Sequence, residues 1–398
     1  MGKKQRKNNS NIRNGMLSHR WFIIMLFLYG IAAIGLFLYS FFQIDLNLTI
    51  INHSLFLEFQ KPFIEFGYYN RPDSVRVYIG LLLVFFGLYL VTLRLITLKK
   101  ITYSHVWLIV ILLSAVLFLS YPASFSHDIF NYMFDARIVT EYGQNPYFHK
   151  AMDYPSDPWI RFLHWTHRTY PYGPIWLLVT IPLSYIGVGK FLIIMLLFKL
   201  LVVVSYLVTS YFIYKILQKI NADYALLGVA FFALNPLVIL ESLVSAHNDV
   251  LMMALSVVAV YLLVMKKRLY GLFLALLSVG VKFTTVYLLP FFVIGFRPYI
   301  AFLFALATFS IISYRIGIQP WYFLWVMPFA AVACMYRTSR VVMICMTFVL
   351  LLRYIPFIES GSWYPSAIPF QYWTTVSGIV ASIIVYIGMM IWSKVQKS

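Results

Sequence analysis

From about Trp21 to Phe42 the chain is a long apolar run. At about 20 residues it is long enough to cross the hydrocarbon core of a bilayer as one helix. Such a run leaves its backbone little choice. Lipid offers no hydrogen bonds, so each N–H and C=O must be satisfied inside the segment, and a single spanning segment does this as a helix. The run is too long for the apolar core of a signal peptide and has no small-residue cleavage site, so it reads as an uncleaved first span. Comparable runs recur to the end of the chain. With 62% hydrophobic and 11% charged residues over 398 positions, there is too little charge to clothe a water-soluble surface of that size. The fold class expected is all-α, a polytopic transmembrane helical bundle.

Lysine and arginine then set the topology. Cytoplasmic loops of membrane proteins collect these residues, and the net charge of +18 fits that bias and contact with anionic lipid without calling for nucleic acid. The basic segment MGKKQRKNNSNIR reads as a disordered cytoplasmic tail within 1–20. N-terminal spans occupy 21–121, around a polar outer loop at 43–75. Residues 122–189 form a long outer loop and a short apolar helix. A transmembrane bundle fills 190–393, and 394–398 return to the cytoplasm. The apolar stretch 174–188 is short. Counted as a full span, it would send Lys215, Lys219 and Lys266-Lys267-Arg268 outside; as a re-entrant or interfacial helix it keeps them inside. The expected total is about twelve spans, uncertain by about two, with both termini cytoplasmic.

This topology brings every polar cluster to the outer face. The loop 122–173 is rich in Pro, Asp, His and Tyr, and long irregular loops of this kind are usually functional. Within it Ile129, Tyr132, Met133, Ala136 and Val139 repeat at helical spacing, which predicts a short amphipathic helix. Asp128 directly follows an apolar run and neighbours His127. A carboxylate at that low-dielectric boundary suits general-base work. Asp135 lies on the same face at i+7, and Arg137 follows. The plainer alternative is that Asp128 caps the helix and Asp135 pairs with Arg137 or Arg161. Asn145-Pro-Tyr147 and Tyr170-Pro-Tyr172-Gly-Pro174 are turn signals, with Pro174 suited to a helix start.

Two further clusters follow. Glu241, His247, Asn248 and Asp249 stand in NPLVILESLVSAHND, between two apolar runs, where ionisable groups are costly and usually functional; capping by Asn248 or Asp249 is the alternative. Lys282 in SVGVKFTT lies too deep to snorkel and needs an anion, either a protein carboxylate such as Asp249 or Glu241, or a lipid phosphate. The chain has no Gly-rich phosphate loop, no GxSxG elbow and no HExxH. Cys334 and Cys345 sit in apolar runs and imply no disulfide or thiolate metal site. Asn47-Leu-Thr49 and Asn52-His-Ser54 match the glycan-acceptor pattern, which short sequences often match by chance.

Read in order, DIFNYMFDARIVTEYGQNPY, YPYGPIW, NPLVILESLVSAHND and VKFTT resemble the GT-C superfamily of integral-membrane glycosyltransferases over about 120–330. They are most similar to its bacterial and archaeal members that use a polyprenyl-phosphate-linked sugar, often mannose. The resemblance implies a plasma-membrane enzyme. It would transfer mannose or another hexose, with inversion, from a polyprenyl-phosphate donor to a glycan, lipid or protein hydroxyl at the outer face. It casts Asp128 as catalytic base and places Asn131, Tyr132, Asp135, Arg137, Asn145, Tyr147, Tyr170, Tyr172, Glu241, His247, Asn248, Asp249 and Lys282 in the substrate site. Lys282, with His247 or Arg137, would hold the donor phosphate. Where the family often has an acidic pair, this chain has His127-Asp128. No metal ligand set is therefore expected, no cofactor is implied, and a divalent ion stays open. The rival readings are a sugar or lipid transporter or flippase, a polyprenyl-diphosphate-dependent glycan ligase, and a non-catalytic scaffold.

Overall fold

The computed structural model describes residues 2–42, 52–361 and 367–395. Among them the regular structure is helical, with one isolated bridge between Lys150 and Thr169. The N-terminal part comprises α1 (Gly2–Ser40), α2 (Ser54–Ile64), α3 (Arg71–Thr97) and α4 (Tyr103–Phe118). The basic segment expected to be disordered is thus continuous with the first apolar helix. The loop 43–75 is also largely helical where described, because α2, a π turn over Glu65–Tyr69 and the start of α3 fall inside it. The Asn47 glycan pattern lies outside the described residues.

The long loop carries α5 (Asp128–Thr140) and leads into α6 (Pro174–Ile186). The bundle follows: α7 (Phe191–Ile220), α8 (Ala225–Ala233), α9 (Pro236–Val238) running into a π turn at Ile239–Val244, α10 (Asp249–Val264), α11 (Arg268–Val281), α12 (Phe291–Ile294), α13 (Pro298–Ile316), α14 (Met327–Val332), α15 (Arg337–Leu352), α16 (Ile355–Ser360) and α17 (Ala367–Val395). Short 3-10 turns at Phe283–Leu288 and Pro320–Trp325 precede α12 and α14.

Five helices among the described residues are long and apolar enough to cross a membrane, or six if the pair Ala222–Ala233 and Pro236–Val244, bent by 50°, counts as one span. The expectation of about twelve requires the shorter apolar helices to cross as well. With 13 residues, α6 is one of those too short to span the ~30 Å core at ~1.5 Å per residue.

The bend at 234–236 has a local cause. Pro236 cannot donate to the preceding turn, and the Asn235 side chain caps the new helix by accepting from Leu237 N at 3.0 Å. The same side chain donates to Thr347 Oγ1 at 3.1 Å, which ties the bend to α15.

The helix α5 is not amphipathic. Ile129, Phe130, Asn131, Tyr132, Met133, Phe134, Ala136 and Ile138 are all buried. The helical period is real, but it packs on α6 and α7, and the rest of the loop folds over its other side through Phe162, Trp165 and Tyr154. The ammonium of Lys199, fully buried in α7, marks where the loop begins. It donates to the carbonyls of Leu117 (3.1 Å) and Ser120 (2.6 Å) and to Ser120 Oγ (2.9 Å). It thereby ties down the turn that follows α4, and a cation there complements the helix dipole.

Candidate active site

Three breaks in regular helix converge on one cavity of about 590 Å³. The first is the head of α5. Ser126 Oγ accepts from Asp128 N at 3.3 Å, so Ser126 supplies the cap and leaves the Asp128 carboxylate to line the cavity. The second is Lys282, in extended backbone (φ −147°, ψ 137°) where α11 ends. It therefore lies at the mouth of a break and not within a short helix. The third is the 3-10 turn at 320–325, which brings Trp321, Tyr322 and Trp325 to the wall.

The turn at 170–174 fixes the position of Lys282. Gly173 N donates to Val281 O at 3.0 Å, and a Cβ on Gly173 would run into the carbonyl oxygen of Gly280. Glycine is needed for that approach. Tyr172 is held against Lys282, whose ammonium lies 5.1 Å from the ring centroid, within cation–π range. Lys282 also donates to both carboxylate oxygens of Asp249, at 2.8 Å each, and Trp325 Nε1 donates to the same carboxylate. Asp249 is fully buried, whereas the Lys282 side chain keeps 13% of its surface exposed. The carboxylate partner expected for this lysine is thus Asp249.

Glu241 and His247 form a buried line behind Asp128. His247 Nδ1 is 3.7 Å from Asp128 Oδ2 and its Nε2 is 3.3 Å from Glu241 Oε2. Tyr354 donates to Glu241 Oε1 at 2.9 Å, and the imidazole stacks on Trp321 with centroids 4.7 Å apart. Ala246, just before His247, has φ 56°, a left-handed conformation that a residue with a Cβ adopts only under local strain.

Of the residues singled out from sequence, Asp128, Tyr172 and Lys282 line the cavity. The others named lie off its wall. Asn131 Nδ2 donates to Trp165 O at 3.2 Å. Tyr132 donates to Asn248 Oδ1 at 3.3 Å and meets Tyr172 edge to face. Asn145 Oδ1 accepts from Tyr147 N at 3.0 Å, and the Tyr147 hydroxyl donates to Tyr172 O at 3.0 Å. Tyr170 donates to Gly173 O at 2.8 Å. These residues hold the turn in place and do not face the cavity.

Arg137 is a correction. It does not line the cavity; its guanidinium donates to Asp157 Oδ2 at 2.7 Å and lies over the Trp159 ring at 4.4 Å. Asp157 also accepts from Tyr142 at 2.6 Å and from Trp159 N at 2.8 Å. Those bonds and the guanidinium hold its carboxyl below the ordinary value against the opposing effect of burial.

Sequence reasoning gave no role to several residues on the wall. Arg168 lines the cavity with its guanidinium 4.9 Å from the Trp165 ring centroid. Asp135 feels that charge, although desolvation still pushes its carboxyl up to about 7, with Asp128 adding to the rise. It does not pair with Arg137. His127 and His164 stack with centroids 3.6 Å apart on the cavity wall. Burial, reinforced by the neighbouring His164, lowers His127 to about 3, so it is a neutral imidazole at physiological pH. Among the described residues no group of three or more His, Cys, Asp or Glu is placed to hold a metal ion.

A family model described as alpha-(1->6)-mannopyranosyltransferase, N-terminal domain, matches residues 52–297, well over half of the chain. Among curated proteins, alpha-(1->6)-mannopyranosyltransferase A of Corynebacterium glutamicum is 28% identical over 183 residues, covering 45% of this chain and 36% of that protein. No solved structure matches the chain. The matched segment holds Asp128, the 170–174 turn, Glu241 to Asp249 and Lys282, and the aromatic wall at 321–325 lies beyond it. On that match the polytopic helical protein described here belongs to the alpha-(1->6)-mannopyranosyltransferase (MptA_B) family.

Proposed function

We propose that the chain transfers a mannosyl residue from a polyprenyl-phosphate-linked donor to an acceptor hydroxyl at the outer membrane face, with inversion at the anomeric carbon. The observation that carries this reading is the sharing of one cavity by the Asp128 carboxylate and the Lys282 ammonium. A base and a cation on one chamber match what displacement at an anomeric carbon requires. The acceptor oxygen bonds to C1, and its proton passes to Asp128. The C1–O bond to the phosphate breaks, and its electron pair leaves on the phosphate oxygen. Positioning and charge stabilisation do most of the work in such a step.

Two cations serve the leaving phosphate. Lys282 is already engaged with Asp249, which holds it as a fixed charge. Arg168, on the same wall, has a planar fork suited to bidentate phosphate contacts; it takes the role that the family resemblance implied for His247 or Arg137. Trp165, Trp321 and Tyr322 offer faces on which a sugar ring packs. Phe283 and Ile316, on the rim, are 75% and 62% exposed, which suits a donor whose prenyl chain stays in lipid. The names of the family and of the curated relative point to an α-(1→6) product. An α product formed with inversion implies a β-linked phosphate donor.

The test is incubation of the purified full chain with a panel of polyprenyl-phosphate sugars and a mannan acceptor, following polyprenyl-phosphate release and glycosidic bond formation. The mannose donor is expected to be consumed, and Asp128→Asn to lower kcat by at least ~10² to 10⁴, the range for general acid–base groups. Normal turnover by folded Asp128→Asn would remove the base from the reading. Sugar movement without bond formation would favour a transporter.

A further inference from the structure

The residues behind Asp128 have no contact with the cavity, yet they form a line of ionisable groups that packing alone does not explain. Glu241 and His247 are both fully buried. Groups this polar at membrane depth are costly, and a π turn and the left-handed Ala246 are needed to bring them together. His247 has carboxylates at both ring nitrogens, Glu241 at Nε2 and Asp128 at Nδ1. Neither nitrogen makes a well-aligned hydrogen bond. Contacts of catalytic groups in the absence of substrate are often long and tighten in the complex.

We infer that His247 is a positioning residue that relieves Asp128 of the proton taken from the acceptor, with Glu241 fixing its tautomer. This rests on the reading of Asp128 as base. With Nε2–H turned toward Glu241, the Nδ1 lone pair faces Asp128. A neutral imidazole so oriented repels a carboxylate and receives a proton from a carboxylic acid. After transfer, the Asp128 O–H bond breaks and an Nδ1–H bond forms. The imidazolium then lies between two carboxylates, and Asp128 again faces the cavity as an anion. Before the next turnover the Nδ1–H proton returns through Asp128 to the released phosphate or to water, so no acid, base or oxidant beyond product and solvent is needed. The groups that face His247 are Asp128, Glu241 and the Trp321 ring. Behind Glu241 are the phenols of Tyr354, hydrogen-bonded to it, and Tyr78, close enough to feel its charge.

The experiment measures kcat and KM for donor and acceptor against pH. The variants are Glu241→Gln, His247→Gln, the double variant and, in parallel, Asp128→Asn. The relay predicts that each of the first two lowers kcat by on the order of 10²-fold, leaves both KM values within about 2-fold and displaces the acid limb of the kcat profile. The double variant should lose no more than His247→Gln alone, because residues acting as a unit are not additive. Unchanged kcat in both single variants while Asp128→Asn is inactive would overturn the relay and leave the base standing. A raised KM with normal kcat, or losses that multiply in the double variant, would also overturn it. Active Asp128→Asn would instead sink the parent reading. If His247→Gln fails to fold, Tyr354→Phe tests the same line through the orientation of Glu241. It should lower kcat several-fold and shift the same limb, and wild-type kcat and pH profile in that variant would count against the relay.

Discussion

Two lysines, the buried Lys199 and the partly buried Lys282, stand in similar apolar company and do different things. Lys199 is sealed. Its ammonium meets two carbonyls and a hydroxyl at the end of α4, its neighbours are neutral dipoles, and no surface is left to bind anything. Lys282 is paired with a carboxylate, sits under an aromatic ring, and still opens onto a cavity. Both resolve the cost of an ammonium in hydrocarbon. The first resolves it completely and so serves only the fold. The second leaves part of its field available to a ligand. Depth in a membrane therefore does not by itself mark a functional lysine. What separates the two is whether the partners close around it.

That contrast can be broken by substitution. The largest effect is expected from Lys282→Met. It removes the counter-ion of fully buried Asp249, which should cost about 3–5 kcal/mol of stability and abolish measurable transfer, read by thermal unfolding in detergent and by the donor-release assay. Lys282→Arg, which keeps the charge, should recover much of the stability and less of the activity. Lys199→Met comes next. It strips the donor from three acceptors, for a loss of about 1–3 kcal/mol, while turnover of the folded fraction stays close to wild type. Equal loss of turnover in both methionine variants would erase the distinction.

A third test concerns the titration of a carboxyl beside the open site. Asp135 is raised to about 7, above the ~3.9 of an unfolded aspartate. The folded state therefore binds the extra proton between those values, and its contribution to stability declines as pH rises from about 4 to 7. Asp135→Asn should flatten that part of a stability-versus-pH curve, and Arg168→Gln should extend the decline to higher pH by removing the charge that opposes the rise. A curve unaffected by either change would mean that the carboxyl is better solvated than its surroundings indicate.

Much of this was readable from the chain. The apolar runs announced helices wherever lipid or core demanded them, and the charges left among those runs, at 128, 241, 247, 249 and 282, were conspicuous because so few exist. All five came together around one cavity and its backing. Arg168 was not legible. It stands among His164, His167 and Arg161 in a loop without periodicity, and nothing along the chain says which of these turns inward. Arg137 was misread for the opposite reason. It shares α5 with Asp128, but a helix distributes its residues around its axis, and Asp157, distant in sequence, took the guanidinium. The amphipathic reading of α5 failed because a periodic stripe reveals one packed face and is silent about a loop that later covers the other.

The contact of Gly173 with Gly280 has a mechanical consequence. The backbone of Gly173 lies directly on that of Gly280, joined by the bond to Val281 and flanked by the Ile175 side chain, so the start of α6 and the end of α11 are locked to each other at this point. The other wall of the cavity is built differently: Gly317, at φ 89°, joins α13 to the tryptophan-bearing turn, a left-handed conformation in which any side chain would be strained.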